Sequence, residues 1–107
     1  MFTFYENCEK TILPGGVSRK ILAHDENLMA VEVEFETGAI GAMHTHPHSQ
    51  ISYVLEGEFE ATINGETKVI KEKDTYYTAP NIPHGVVCLK KGKLLDIFTP
   101  ERDDFLK

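Results

Sequence analysis

The chain alternates between hydrophobic and polar residues over most of its length. Residues 28–36 place apolar side chains on one face and glutamates on the other. A side-chain period of two is typical of a β-strand with one buried face. The same pattern recurs in residues 50–56 and 58–63, on either side of Gly57. We therefore predict a half-buried strand in each of these three segments.

Turn residues divide the rest of the chain into further short strands. Asn64-Gly65 is a hairpin signal because both residues tolerate positive φ, so residues 67–71 are predicted to form the return strand. At the C-terminal end, Thr99 is predicted to cap a short helical turn with Pro100 in its first position. The remaining predicted strands cover residues 17–23, 42–46, 75–78, 85–89 and 93–99.

Eight or nine short strands in 107 residues indicate one all-β domain over residues 1–107. The sequence contains no internal repeat and no linker rich in Gly, Ser or Pro. A sandwich or barrel would cover most strand edges, and a barrel of this size can enclose one small ligand.

Charge and cysteine content narrow the classes of partner. The 17 acidic and 11 basic residues give a formal net charge of -6, so neither nucleic acid nor a membrane is an expected partner. The two cysteines are too few for a disulfide framework, and the chain shows no signal segment and no apolar run of about 18 residues. We expect a cytoplasmic protein.

Five histidines supply the candidate chemistry. His44 and His46 would point to the same face of a strand, about 6.7 Å apart along it. Pro47 would end the strand and let His48 or Gln50 turn back towards the same point. His84, which follows a Pro-Asn-Ile-Pro segment, is a further candidate. Three histidines from two strands and one oxygen donor would suit one divalent transition metal, such as Zn, Ni, Fe or Mn.

Plainer interpretations of the histidines stay open at this point. His44, His46 and His48 could form a solvated histidine-rich loop that binds metals adventitiously. His48 is a neighbour of the site or a substrate contact rather than an obvious ligand. His24, in a predicted turn, is expected at the surface.

Asp96 interrupts a strand that is otherwise apolar on both faces. An ionised carboxylate there is costly without a partner, which favours a functional role. Leu94, Asp96 and Phe98 share one face, so all three would line the lumen of a barrel if that face points inward. The alternative is that Asp96 lies at an edge or pairs structurally with Arg102 or a lysine. Tyr53, Phe59 and Phe98 are candidates for the cavity wall or for plain core.

Two segments resemble the paired sequence motifs of the cupin family: Gly38-x5-His44-x-His46-x3-Gln50-x6-Gly57 and Lys73-Asp74-x4-Ala79-Pro80-Asn81-Ile82-Pro83-His84. The resemblance implies a single-domain cupin β-barrel, also called a double-stranded β-helix or jelly roll. It also implies metal ligation by His44, His46, Gln50 and His84. Gln50 stands where the family usually has Glu, and the neutral amide would leave the metal a stronger Lewis acid.

Within the cupins, residues 44–57, 81–87 and 94–100 are similar to the KdgF family of pectin-degradation proteins. Members of that family convert 4,5-unsaturated uronate monosaccharides into linear 4-deoxy-5-keto uronates. The resemblance implies catalytic roles for Asp96, Phe98 and Arg102, a small-molecule uronate substrate and a homodimer. The planar guanidinium of Arg102 suits a uronate carboxylate. Other functions left open are an Fe(II) dioxygenase and a non-catalytic cupin that binds sugar or metal.

Overall fold

The computed structural model describes residues 1–107 as eight β-strands with a short 3-10 turn near each end. The predicted all-β class is therefore confirmed. The strands are β1 Lys10–Leu13, β2 Val17–Asp25, β3 Leu28–Phe35, β4 Ile40–His44, β5 Ser49–Ile63, β6 Glu66–Lys71, β7 Thr75–Thr78 and β8 His84–Thr99, and the turns are Tyr5–Asn7 and Asp103–Leu106.

β5 and β8 each run through both layers of an antiparallel jelly-roll barrel. Residues 49–56 of β5 pair with residues 93–99 of β8, and residues 58–63 pair with residues 84–90. The first of these paired segments is extended by β3, β2 and β1 on one side and by β7 on the other. The second is flanked by β4 and β6. The predicted barrel is confirmed.

The prediction of separate strands on either side of Gly57, and of separate strands at 85–89 and 93–99, was wrong. Both pairs are continuous strands that bend at Gly57 and Gly92. Gly57 has a φ of +81°, and a Cβ there would lie 2.5 Å from the carbonyl oxygens of Lys90 and Lys91. A Cβ on Gly92 would collide with the backbone facing it across the bend. Glycine therefore lets the two strands cross closely at the corner without ending.

The C-terminal turn begins later than the sequence predicts. Thr99 is the last residue of β8, paired with Ser49, and the 3-10 turn starts at Asp103. The intervening segment is irregular, and Glu101 is held from two sides: its backbone N–H donates to the carbonyl of Glu26 at 3.3 Å, and its carboxylate accepts from His24 at 2.9 Å. Tertiary contacts thus replace the predicted Thr99 cap.

Two smaller differences concern β1 and β4. β4 covers Ile40–His44 rather than 42–46, so His46 lies in the loop that follows it. β1 is a short edge strand that the sequence reading missed, because three of its four residues are exposed and no alternation marks it.

Apolar side chains from both layers fill one part of the barrel. Phe35 of the first layer packs edge-to-face on Phe59 of the second, with ring centroids 5.3 Å apart. Burial of each large apolar side chain contributes about 1.5–3 kcal/mol to stability. The other members of this core are Ala39, Val54, Ala61, Val86, Cys88 and Leu94. The structure holds no helix with the length and hydrophobicity needed to span a membrane.

Candidate metal centre

A cavity of about 290 Å³ lies beside the apolar core. Leu94, Asp96 and Phe98 of β8 all line it, as their shared face predicts. Most of its wall is apolar, so each polar group on it stands in surroundings of low dielectric constant. The polar side chains that line the cavity are Arg19, His44, Gln50, Tyr76, Asp96 and Arg102.

His44, His46 and His84 converge on one point, and His44 also lines the cavity. His44, the last residue of β4, is paired in register with His84, the first residue of β8, and their ring centroids are 4.4 Å apart. His46, in the loop after β4, lies 4.7 Å from His84 by the same measure. One nitrogen from each of the three rings falls within 4.8 Å of the others. This cluster can hold a metal ion.

The hydrogen bonds of the imidazoles fit metal binding. His44 Nδ1 donates to the carbonyl of Ala42 at 2.8 Å, and His84 Nδ1 donates to the carbonyl of Ile82 at 2.9 Å. Each ring therefore keeps the lone pair of Nε2 free, which is the tautomer that a metal ligand needs. His84 Nε2 is buried and has no hydrogen-bond partner in the protein. Such an unsatisfied buried nitrogen is costly unless a ligand fills its place.

Burial also keeps two of these rings neutral. It lowers the pKa of His46 to about 4, helped by the positive charge of Arg102, and it lowers the pKa of His84. Neutral imidazole is the form that binds a metal. At neutral pH, His46 and His84 are therefore uncharged, and each ring has one nitrogen without a hydrogen.

Gln50 lies next to His46. Its Oε1 is 2.9 Å from His46 Nε2, close to the separation of about 3 Å between neighbouring ligands at metal bond lengths of about 2.1 Å. Its Nε2 donates to the hydroxyl of Ser52 at 2.9 Å. The bond to Ser52 fixes which way the amide faces, so the oxygen points to the histidines.

Asp96 is on the central strand β8 rather than at an edge, and it faces the cavity. The hydroxyl of Ser52 donates to Asp96 Oδ1 at 2.6 Å, and the two residues are partners in adjacent strands. Burial raises the pKa of Asp96 to about 6, against the opposing effects of the Ser52 hydrogen bond and the Arg102 charge. A carboxyl with this pKa can both take and give a proton near neutral pH.

Arg102 reaches the cavity but is already paired with an acid. Its Nε and Nη2 donate to the two carboxylate oxygens of Asp104 at 3.0 and 2.9 Å, and its guanidinium lies 5.1 Å from the ring centroid of Phe98. Phe98 is buried, and its ring packs against His46 at 5.7 Å. Of the three aromatic candidates for the cavity wall, Phe98 lines it, whereas Phe59 belongs to the apolar core.

The two remaining histidines hold the C-terminal segment. His48 Nε2 donates to the carbonyl of Glu101 at 3.2 Å, and its ring is not part of the converging group. His24 pairs with the carboxylate of Glu101. The two histidines therefore hold Glu101, the residue that precedes Arg102, in place.

Sequence reasoning missed Arg19, Ser52 and Tyr76. The alternation of side chains along β2 and β5 could have indicated Arg19 and Ser52. Arg19 falls on the same strand face as Val17, and Ser52 falls on the same face as Val54. Tyr76 is paired with Ser52 across β5 and β7, and burial raises its pKa. It faces the cavity as a neutral phenol.

Comparison with known proteins gives consistent matches. The profile of the cupin domain family matches residues 31–98. The pectin degradation protein KdgF of Dickeya dadantii is 47% identical over 96 residues, which cover 88% of this chain and 87% of that protein. The crystal structure of an RmlC-like cupin from Shewanella frigidimarina superposes with a TM-score of 0.94 at 43% identity, over 97% of this chain and 94% of the other.

A third match is the structure of KdgF from a Halomonas species, with a TM-score of 0.93 and 36% identity over 98% of this chain and 99% of the other. The matches extend over the strands that carry the histidines and Asp96. Together with the geometry of the site, they establish that the chain belongs to the cupin family and, within it, to the KdgF proteins.

Proposed function

We propose that this enzyme converts 4,5-unsaturated uronate monosaccharides, released by breakdown of pectin and alginate, into linear 4-deoxy-5-keto uronates. The relationship to the pectin degradation protein KdgF supports the substrate class. The observation that carries the proposal is a cavity that has one carboxyl of raised pKa and two guanidinium groups on its wall, together with His44 of the adjoining histidine triad. A guanidinium can bind the carboxylate of an acidic sugar, and a carboxyl can transfer the proton that opening of its ring requires.

His44, His46, Gln50 and His84 would hold one divalent transition metal, such as Ni, Zn, Fe or Mn. The free Nε2 lone pairs of His44 and His84 and the orientation of the Gln50 amide support this ligand set. All four ligands are neutral, so a bound cation would keep its full charge and would polarise oxygen atoms of the sugar. The chain's own residues must then supply the proton transfer.

Asp96 moves the proton. The reaction is an isomerisation: the anomeric hydroxyl loses its proton, the bond between C1 and the ring oxygen breaks, and C4 gains a proton as C5 becomes a ketone. The atoms balance without an oxidant or reductant. Asp96 is the only carboxylate on the cavity wall, and its pKa of about 6 suits a group that takes a proton at one step and returns it at another.

Phe98 and Arg102 shape the position of the substrate. Phe98 packs against the His46 and His48 rings and closes the wall behind them. Arg102 adds positive charge near the cavity, which attracts the uronate carboxylate. A residue at each of these positions orients the sugar so that C4 and the anomeric hydroxyl come within reach of Asp96.

The proposal extends to location and assembly. Cys8 and Cys88 are both free thiols, which fits a reducing cytoplasm. A homodimer is supported by the strongly exposed apolar side chains of Met1, Phe2 and Phe4 at the N-terminus. Light scattering after size-exclusion chromatography measures the assembly, and a monomer mass would contradict the dimer.

The reaction is tested by adding purified protein to an unsaturated uronate monomer and following the ultraviolet absorbance of the C=C bond. We expect loss of absorbance well above the spontaneous rate, abolished by a chelator and restored by a divalent transition metal. Absence of a chelator-sensitive acceleration would contradict the proposed function. Oxygen consumption during turnover would instead indicate a dioxygenase.

A further inference from the structure

Arg19 is a charged residue on an apolar face. It lies in β2 between Val17 and Ile21, whose register partners in β3 are Phe35 and Val31. Its own register partner is Val33, which also lines the cavity. An arginine in such a row is unusual, because a fully exposed position on the opposite face would keep its charge hydrated at no cost.

The guanidinium of Arg19 has no carboxylate within salt-bridge distance, although the charge of Asp104 acts on it from further away. It stacks on the ring of Phe105 with 3.9 Å between Cζ and the ring centroid, and its Nε is buried with no hydrogen-bond partner. The ion pairs of the protein all involve other residues. Arg102, which lies 4.2 Å from the centroid of the same ring, differs because Asp104 occupies its guanidinium through two hydrogen bonds.

One guanidinium at the cavity is therefore without a hydrogen-bonded acid. Asp104 takes up hydrogen-bond donors of Arg102, and Asp96 is held by Ser52 beside Gln50. Arg19 retains free N–H donors, and it is fixed in place by stacking on Phe105. A positioned guanidinium with unused donors in a mostly apolar cavity is suited to a carboxylate ligand.

We infer that Arg19 binds the carboxylate of the substrate and so selects uronates over neutral sugars. The inference rests on the proposed function for its choice of a uronate, and it adds a binding residue to that site. Arg102 then contributes mainly through its charge and through its hold on Phe105, while Arg19 makes the direct hydrogen bonds. The competing interpretation is that Arg19 only anchors Phe105.

Steady-state kinetics separate these interpretations. We expect Arg19→Met to raise KM for the unsaturated uronate about tenfold or more, the loss expected when hydrogen bonds to a charged group are removed, with a much smaller change in kcat. Arg19→Lys keeps the charge and should recover part of the affinity. Lys20→Met removes the same charge from the neighbouring residue, which contacts Tyr5 away from the cavity, and should leave KM unchanged.

Binding of non-reacting sugars tests the inference without turnover. Calorimetric titration should show that wild-type protein binds glucuronate more tightly than glucose, and that Arg19→Met removes this preference while Lys20→Met keeps it. An unchanged KM and an unchanged glucuronate preference in Arg19→Met, with only a lower Tm, would overturn the inference and leave the proposed reaction standing. Preference for glucuronate that depends on Arg19 in a protein without ring-opening activity would refute the proposed reaction and keep the carboxylate site.

Discussion

The apolar core around Phe59 and the polar cluster around Asp96 both draw side chains from the two long strands, and Val54 and Leu94 of the core lie in the same paired segment as Ser52 and Asp96. The backbone pattern is the same in both regions. Only the inward side chains change, from the aromatic and aliphatic groups of the core to the hydrogen-bonded row of Gln50, Ser52 and Asp96.

The difference shows which region supports the fold and which serves the chemistry. Buried apolar groups stabilise the barrel in proportion to the area removed from water. Buried polar groups need partners, and here His84 Nε2 and Arg19 Nε have none in the protein, while Asp96 is harder to ionise than in water. Groups arranged at a cost in stability are typical of functional sites.

The largest expected effect is the loss of metal affinity when a histidine of the polar region is removed. His84→Ala should lower the affinity for a divalent transition metal by more than about 100-fold, because changes in the shell around metal ligands alone cost about 10- to 100-fold. A titration against a chromogenic chelator measures it. His24→Ala is the matched control, since His24 pairs with Glu101 outside the triad. Equal metal affinity in the two variants would contradict the site.

Phe59→Ala should lower the stability of the protein and leave its metal affinity unchanged, the reverse of His84→Ala. Phe59 is fully buried in the apolar core, so its truncation should lower the free energy of unfolding by about 3–5 kcal/mol in urea denaturation. Metal affinity of the remaining folded protein should not change. A loss of stability below about 1 kcal/mol, the size of an ordinary substitution, would show that the two regions are not divided in this way.

The smallest effect concerns the pH dependence of stability. The pKa of Asp96 is raised from 3.8 to about 6 in the folded protein, so the folded state holds this proton more tightly than the unfolded chain. Its contribution to stability therefore falls as pH rises between these values. In metal-free protein, Asp96→Asn should be more stable than wild type above about pH 6, by up to about 3 kcal/mol, and equally stable near pH 4. A difference that does not vary with pH would contradict the raised pKa.

Most strands could be predicted from the sequence because hydrophobic and polar residues alternate wherever one face of a strand is buried and the other is exposed. That signal failed at Gly57 and Gly92, where a glycine that bends a strand looks like one that ends it. The predicted helix cap at Thr99 was wrong because His24 and the carbonyl of Glu26 hold Glu101, and the turn starts only at Asp103.

Part of the candidate site could likewise be predicted from the sequence, and part could not. The spacing of His44 and His46 and the resemblance to the cupin motifs grouped these residues with His84, although strand parity does not account for His46, which lies in the loop after β4. The pairing of Arg102 with Asp104 and the free guanidinium of Arg19 could not be predicted, because both depend on where the C-terminal turn packs against β2.

The most direct measurement compares the rates at which wild type and Asp96→Asn, loaded to equal metal content, consume a 4,5-unsaturated uronate. The reaction can be followed by the NMR signal of the C4 proton as it becomes a methylene. We predict that the variant loses about 10²- to 10⁴-fold in kcat while its fold and metal content stay those of wild type, because a positioned acid and base contributes about that much. Equal rates in the two proteins would contradict the assignment of proton transfer to Asp96.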